Sequence, residues 1–116
     1  MLVFDKWKED HHNDISIKFK PLKGDIAKIN LRTKQITIDV AAAHATASRL
    51  KINVYLFAYY TLSHEEGHLL YQGTDKSLEE EYFAHDYAIQ DCKEKLGPAI
   101  LTDIDKLNAI KDKIVI

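Results

Sequence analysis

Seven apolar residues, Val54-Tyr55-Leu56-Phe57-Ala58-Tyr59-Tyr60, run almost directly into His64-Glu65-Glu66-Gly67-His68. A helix that is apolar all the way round belongs in the centre of a domain. The pattern predicts one from Val54 to about Gln72, with Asn53 as its N-cap and Gly73 where it stops. That helix must also carry two imidazoles and two carboxylates into or beside the core, where unpaired polar groups are costly. Residues four apart share one helical face, with Cβ atoms about 5–6 Å apart. Two imidazole nitrogens so placed can converge on one divalent ion at about 2.0–2.1 Å, which offsets the cost of burying them. In this H-E-x-x-H spacing Glu65 points toward the open coordination position. There it can take a proton from bound water and deliver it to a leaving amine.

A catalytic centre of this kind takes three protein ligands and keeps one position for water. The next predicted helix runs from Leu78 to about Leu96, with Asp75 or Ser77 as cap and Gly97-Pro98 as terminator. At about 100° per residue its apolar stripe holds Leu78, Ala88, Ile89, Cys92 and Leu96, and Glu81 falls inside that stripe. A carboxylate facing the core needs a partner, so Glu81 is the expected third ligand. Glu79 and Glu80 are expected to be a solvated pair that complements the helix dipole. His85, one turn beyond Glu81, is read as orienting a ligand or the water, with direct ligation as the alternative. Asp86 and Asp91 are read as surface charges, either of which could accept the free N–H of a metal-bound histidine. His11 and His12 are read as an exposed helix end, His44 as an ordinary partly buried residue, and Tyr71 and Tyr82 as core aromatics. Cys92 is buried by phase and lacks the partners of a cysteine nucleophile. A His/His/carboxylate set favours zinc over metals that prefer softer ligands.

The remainder of the chain predicts an α+β fold in one domain over residues 1–116, a length typical of a single domain. Residues Leu2–His12 set Leu2, Val3, Phe4 and Trp7 among charges, as an N-terminal amphipathic helix does. Three period-two segments follow, carrying Ile15, Ile17 and Phe19, then Ile29 and Leu31, then Ile36, Ile38 and Val40. With Pro21–Gly24 and Arg32–Lys34 as connections, they predict a small antiparallel sheet of about three strands. Helices over Ala41–Leu50 and about Ile100–Lys113 complete a helical second half. A net charge of −2 advertises no polyanionic partner, so Lys18, Lys20, Lys23, Lys28, Arg32 and Lys34 are read as a solvated sheet face. The longest apolar run, Val54–Tyr60, falls far short of the roughly 20 residues that span a bilayer. The start, MLVFDKWKED, carries acids at once, unlike a secretory signal, and the single cysteine fits a reducing compartment. Both point to the cytoplasm.

The block HEEGH, followed thirteen residues after His68 by Glu81-Tyr82-Phe83-Ala84-His85-Asp86-Tyr87-Ala88, resembles the ImmA/IrrE family of metallopeptidases, whose pattern is H-E-x-G-H and then E-x-x-A-N-x-F-A. The resemblance covers about Asp25–Cys92 and implies a gluzincin-like zinc peptidase with a three-stranded sheet beside the active-site helix. It assigns His64, His68 and Glu81 as zinc ligands and Glu65 as general base and acid. In size the chain is also similar to the archaeal minigluzincins. Glu66 stands where the family has an apolar residue, and His85 where it favours Asn.

The function expected from residues and resemblance together is zinc-dependent hydrolysis of peptide bonds, as an endopeptidase on a protein or peptide substrate aligned along the sheet edge. The alternative is a metal-stabilised interaction module without turnover, since no downstream His or Tyr stands out as a stabiliser of the oxyanion. The apolar end, Lys113-Ile114-Val115-Ile116, is β-prone and either closes the core or occupies the cleft of its own or a neighbouring molecule. The second arrangement would make the enzyme latent and allow self-association.

Overall fold

The computed structural model describes residues 2–73, 78–97 and 100–109. Among them are helices α1 (Leu2–Asp10), α2 (Val40–Leu50), α3 (Val54–Leu70), α4 (Leu78–Leu96) and α5 (Leu101–Ala109). Three strands, β1 (Ser16–Phe19), β2 (Ala27–Asn30) and β3 (Gln35–Ile38), lie between α1 and α2. This is the α+β layout that the periodicities predict. The cap candidates Asp75 and Ser77, Pro98, and the tail Lys113–Ile116 lie outside the described residues. No helix among the described residues is long and apolar enough to cross a membrane.

The sheet corrects the expected antiparallel arrangement, because it is mixed. Its strand order is β1-β3-β2, with β1 parallel to β3 and β2 antiparallel to it. Ile36, Thr37 and Ile38 of β3 are buried, whereas every residue of β1 and β2 is exposed or half-buried. A strand covered on both faces takes the centre, and the half-covered strands become edges. Alternation reports which side of a strand is buried, not which strand is central. Asp39 anchors the crossing that this order requires. Its N–H donates to the Ile26 carbonyl at 2.8 Å, while its carboxylate accepts from the N–H groups of Leu22 at 2.9 Å and Ala42 at 3.0 Å. The connection from β1 is thus tied past the end of β3 onto the N-terminus of α2. The Leu22 and Ala42 N–H groups hold the Asp39 carboxyl below the usual carboxylate range.

α3 runs through the core and is buried continuously from Leu56 to Ser63. The Asn53 side chain caps it by accepting from the Leu56 N–H at 3.1 Å. The helix ends at Leu70, before Gly73, where Tyr71 turns extended. Val3, Phe4 and Trp7 of α1, Ala88, Ile89 and Cys92 of α4, and Ile104 and Leu107 of α5 join it in one apolar cluster. Leu78 starts the predicted stripe of α4 but is 47% exposed, because the first turn of that helix overhangs the core.

α3 and α4 pack tightly at Gly67. A Cβ built there would lie 2.8 Å from the Ala84 Cα and 3.2 Å from its Cβ and carbonyl oxygen. Backbone cannot yield as a side-chain tip can, so the missing side chain is what lets α4 bring its acidic first turn against the histidines. In an open helix Gly→Ala stabilises by roughly 0.5–1 kcal/mol. Here overpacking, at about 1–3 kcal/mol, outweighs that gain. Gly67→Ala should lower the denaturant midpoint at unchanged m-value, and a more stable variant would show that the helices do not touch there.

Candidate metal centre

His64 and His68 lie one turn apart on α3, with ring centroids 5.0 Å apart and planes at 79°. Glu81, from the first turn of α4, faces both. Its Oε2 is 3.6 Å from His64 Nε2, and its Oε1 is 3.5 Å from His68 Nε2. These separations are too long for good hydrogen bonds. Each is close to the roughly 3.3–3.4 Å that separates two atoms about 2.0–2.1 Å from a tetrahedral centre. His64 Nε2 is moreover buried without a hydrogen-bond partner, which is costly unless something else occupies its lone pair. The Glu65 carboxylate stands beside the pair, within 4.8 Å of donor atoms of both histidines and with Oε2 3.4 Å from His64 Nδ1. The donor set is one that could hold a metal ion. Glu81 meets the two rings through different oxygens.

The side chains open onto a cavity of about 450 Å³ between α3 and β2, lined by residues 24–29 on one side and Tyr60, Thr61, His64, Glu65 and His68 on the other. Tyr60 is the link to His85. Its hydroxyl lies 2.8 Å from His85 Nδ1, and His85 Nε2 lies 3.0 Å from Asn108 Oδ1. The Asn108 oxygen can only accept, so Nε2 carries the proton and Nδ1 accepts from Tyr60. Burial pushes the Tyr60 phenol up and keeps it a donor. His85 is fully buried with both ring nitrogens engaged. It joins Tyr60, in the cleft wall, to Asn108 of α5. His44 is exposed.

The partial burial expected of His44 is not found, and three more sequence expectations also fail on burial. Glu80 is not solvated; it accepts from His68 Nδ1 at 2.7 Å. Asp91 is not a surface charge, and His11 is not an exposed helix end, for their side chains are 7% and 5% exposed. Both belong to a second polar group behind α3. His11 Nδ1 donates to the Trp7 carbonyl at 2.7 Å, and its Nε2 donates to Asp91 Oδ2 at 2.6 Å. Both ring nitrogens therefore carry protons, and the imidazolium stacks on the Trp7 ring, centroids 4.5 Å apart. Asp91 also accepts from the Ser63 hydroxyl at 2.6 Å, and Ser63 accepts from Trp7 Nε1 at 3.0 Å. Glu66 accepts from Asn13 Nδ2 at 2.7 Å and from the Tyr87 hydroxyl. The signal for this network was Glu66 itself, a further charge on a helix buried all round.

His11, Glu66 and Asp91 also offer donor atoms within 4.8 Å of one another. Each is satisfied by protein hydrogen bonds, however, whereas His64 Nε2 is not. The front of α3 thus carries an unsatisfied donor atom, whereas the polar groups at the back are closed by hydrogen bonds.

That back network makes stability depend on pH. Burial pulls His11 down, but Asp91 and the Trp7 carbonyl outweigh it and raise the group above its ordinary 6.5. Burial likewise pushes Asp91 up, and His11 and Ser63 outweigh it, leaving the group below 3.8. The His11 contribution is complete below pH 6.5 and is lost as pH rises through the raised folded value. The Asp91 contribution is complete above pH 3.8 and is lost as pH falls through the depressed one. His11→Gln should cost about 1.5–3 kcal/mol near pH 6 and flatten the decline of stability on the alkaline side of pH 6.5. Parallel pH profiles for the two proteins, measured by chemical denaturation, would contradict the assignment. Among known proteins, no family model, no curated protein and no solved structure matches the chain.

Proposed function

We propose that this chain is a zinc-dependent peptidase in which His64, His68 and Glu81 hold the ion and Glu65 moves the proton. The observation that carries the proposal is the convergence of two Nε2 atoms from one helix on a carboxylate of the next, at 3.5 and 3.6 Å, beside an open cleft. The resemblance of HEEGH and the Glu81–Ala88 block to the ImmA/IrrE family supports the same reading. When bound, zinc polarises a carbonyl and makes water acidic enough to be deprotonated near neutral pH.

The protein's own part follows from its residues. Glu65 accepts the proton of the attacking water on its carboxylate and passes it to the leaving amine. Its burial beside the imidazoles favours that role, because a fixed carboxylate needs little reorganisation. Among the described residues β2 bonds to β3 along one edge only, and residues 24–29 line the cleft. An extended substrate can add there as a further strand, its backbone held by main-chain hydrogen bonds. The single cysteine supports a reducing, cytoplasmic setting.

Glu65→Gln tests the assignment. The variant should hold one equivalent of zinc as the parent does, yet cleave an unfolded protein at least about 10²-fold more slowly. Equal rates for parent and variant would remove Glu65 from the reaction. A parent that takes up zinc but yields no chelator-sensitive fragments would favour a metal-stabilised module without turnover.

A further inference from the structure

Three consecutive glutamates open α4, and the structure gives each a different partner. Glu79 is exposed and accepts from the Tyr71 hydroxyl at 2.9 Å. Glu81 faces the Nε2 atoms of both histidines. Glu80 accepts from His68 Nδ1 at 2.7 Å, with its side chain only 16% exposed. Neighbouring residues on a helix diverge by about 100°, so Glu80 and Glu81 reach the His68 ring on different nitrogens. Glu80 takes the Nδ1 side and leaves Nε2 turned toward Glu81.

We infer that Glu80 is a positioning residue of the metal centre. By holding the Nδ1 proton of His68 it fixes the ring's tautomer and plane and raises the basicity of Nε2. The inference rests on reading His64, His68 and Glu81 as a metal centre, but not on peptide hydrolysis. A carboxylate behind a ligating imidazole typically contributes 10- to 100-fold in metal affinity. Among the described residues His64 has no comparable brace. The carboxylate nearest its Nδ1 is Glu65 Oε2 at 3.4 Å, at the limit of a hydrogen bond, and Glu65 has the proton to move. The pair is therefore asymmetric. His68 is a ligand aimed in advance from α4, and His64 is one that adjusts. The tight packing at Gly67, where a Cβ would lie 2.8 Å from the Ala84 Cα, brings the first turn of α4 close enough for the brace to form.

The test is a titration of the metal-free protein with Co²⁺, followed by visible absorbance, and with Zn²⁺ in competition with a chromophoric chelator. Glu80→Leu should bind either ion 10- to 100-fold more weakly. Glu80→Gln, which keeps an oxygen acceptor but loses the charge, should fall between it and the parent. Glu79→Leu should match the parent, and all should melt with the parent when metal-free. Co²⁺ in the Leu variant should also show an altered ligand-field spectrum, which a merely structural role would not produce. Parent-like affinity in Glu80→Leu overturns the inference while leaving the metal centre standing. Should that variant fail to fold, parent-like affinity in Glu80→Gln overturns it instead. A parent that binds neither ion overturns the metal centre and this inference together.

Discussion

The middle of α3, from Leu56 to Ser63, is buried on every side, and the charged turn that follows it organises the molecule around this helix. Its ionisable groups have to be matched by something brought to them. On the back, the match is made by protein. The His11 imidazolium, Ser63, Asn13 and Tyr87 satisfy Asp91 and Glu66, and in doing so they tie α1 and α4 to the helix. On the front, two imidazoles and Glu81 face one another at distances that suit coordination better than hydrogen bonding.

The two networks are mechanically linked through α4, which supplies Asp91 to the back and Glu80 and Glu81 to the front. Its distance from α3 is set at Gly67, where the Ala84 backbone occupies the space a side chain would need. Closely packed interiors transmit such displacements with little loss. A shift of α4 large enough to loosen Asp91 from His11 therefore also moves the carboxylates that face the histidines. The polar back is in this sense part of the frame of the front.

How much of this could be read from the chain follows from the range of each interaction. The α3 helix, its Asn53 cap and the shared face of His64 and His68 are matters of local spacing, and they were legible. The inward phase of Glu81 was legible for the same reason. The sheet order was not, because alternation fixes faces and leaves the choice of central strand to long-range packing against β3. Glu80, His11 and Asp91 escaped for a related reason. Helical phase gives a direction, but whether a residue is solvated depends on what another element places opposite it. For His11 and Asp91 that partner lies 80 residues away. Glu66 was the one visible clue, a carboxylate whose burial demanded donors that the local sequence did not contain.

The central claim is that His64, His68 and Glu81 share one ion, and X-ray absorption at the zinc edge of the stoichiometrically loaded protein tests it most directly. The account predicts one zinc per chain, with two imidazole nitrogens and carboxylate oxygen at about 2.0–2.2 Å, and loss of one imidazole from the spectrum in His64→Ala. It is contradicted if no zinc is taken up, or if the spectrum is unchanged in His64→Ala and loses an imidazole in His11→Gln.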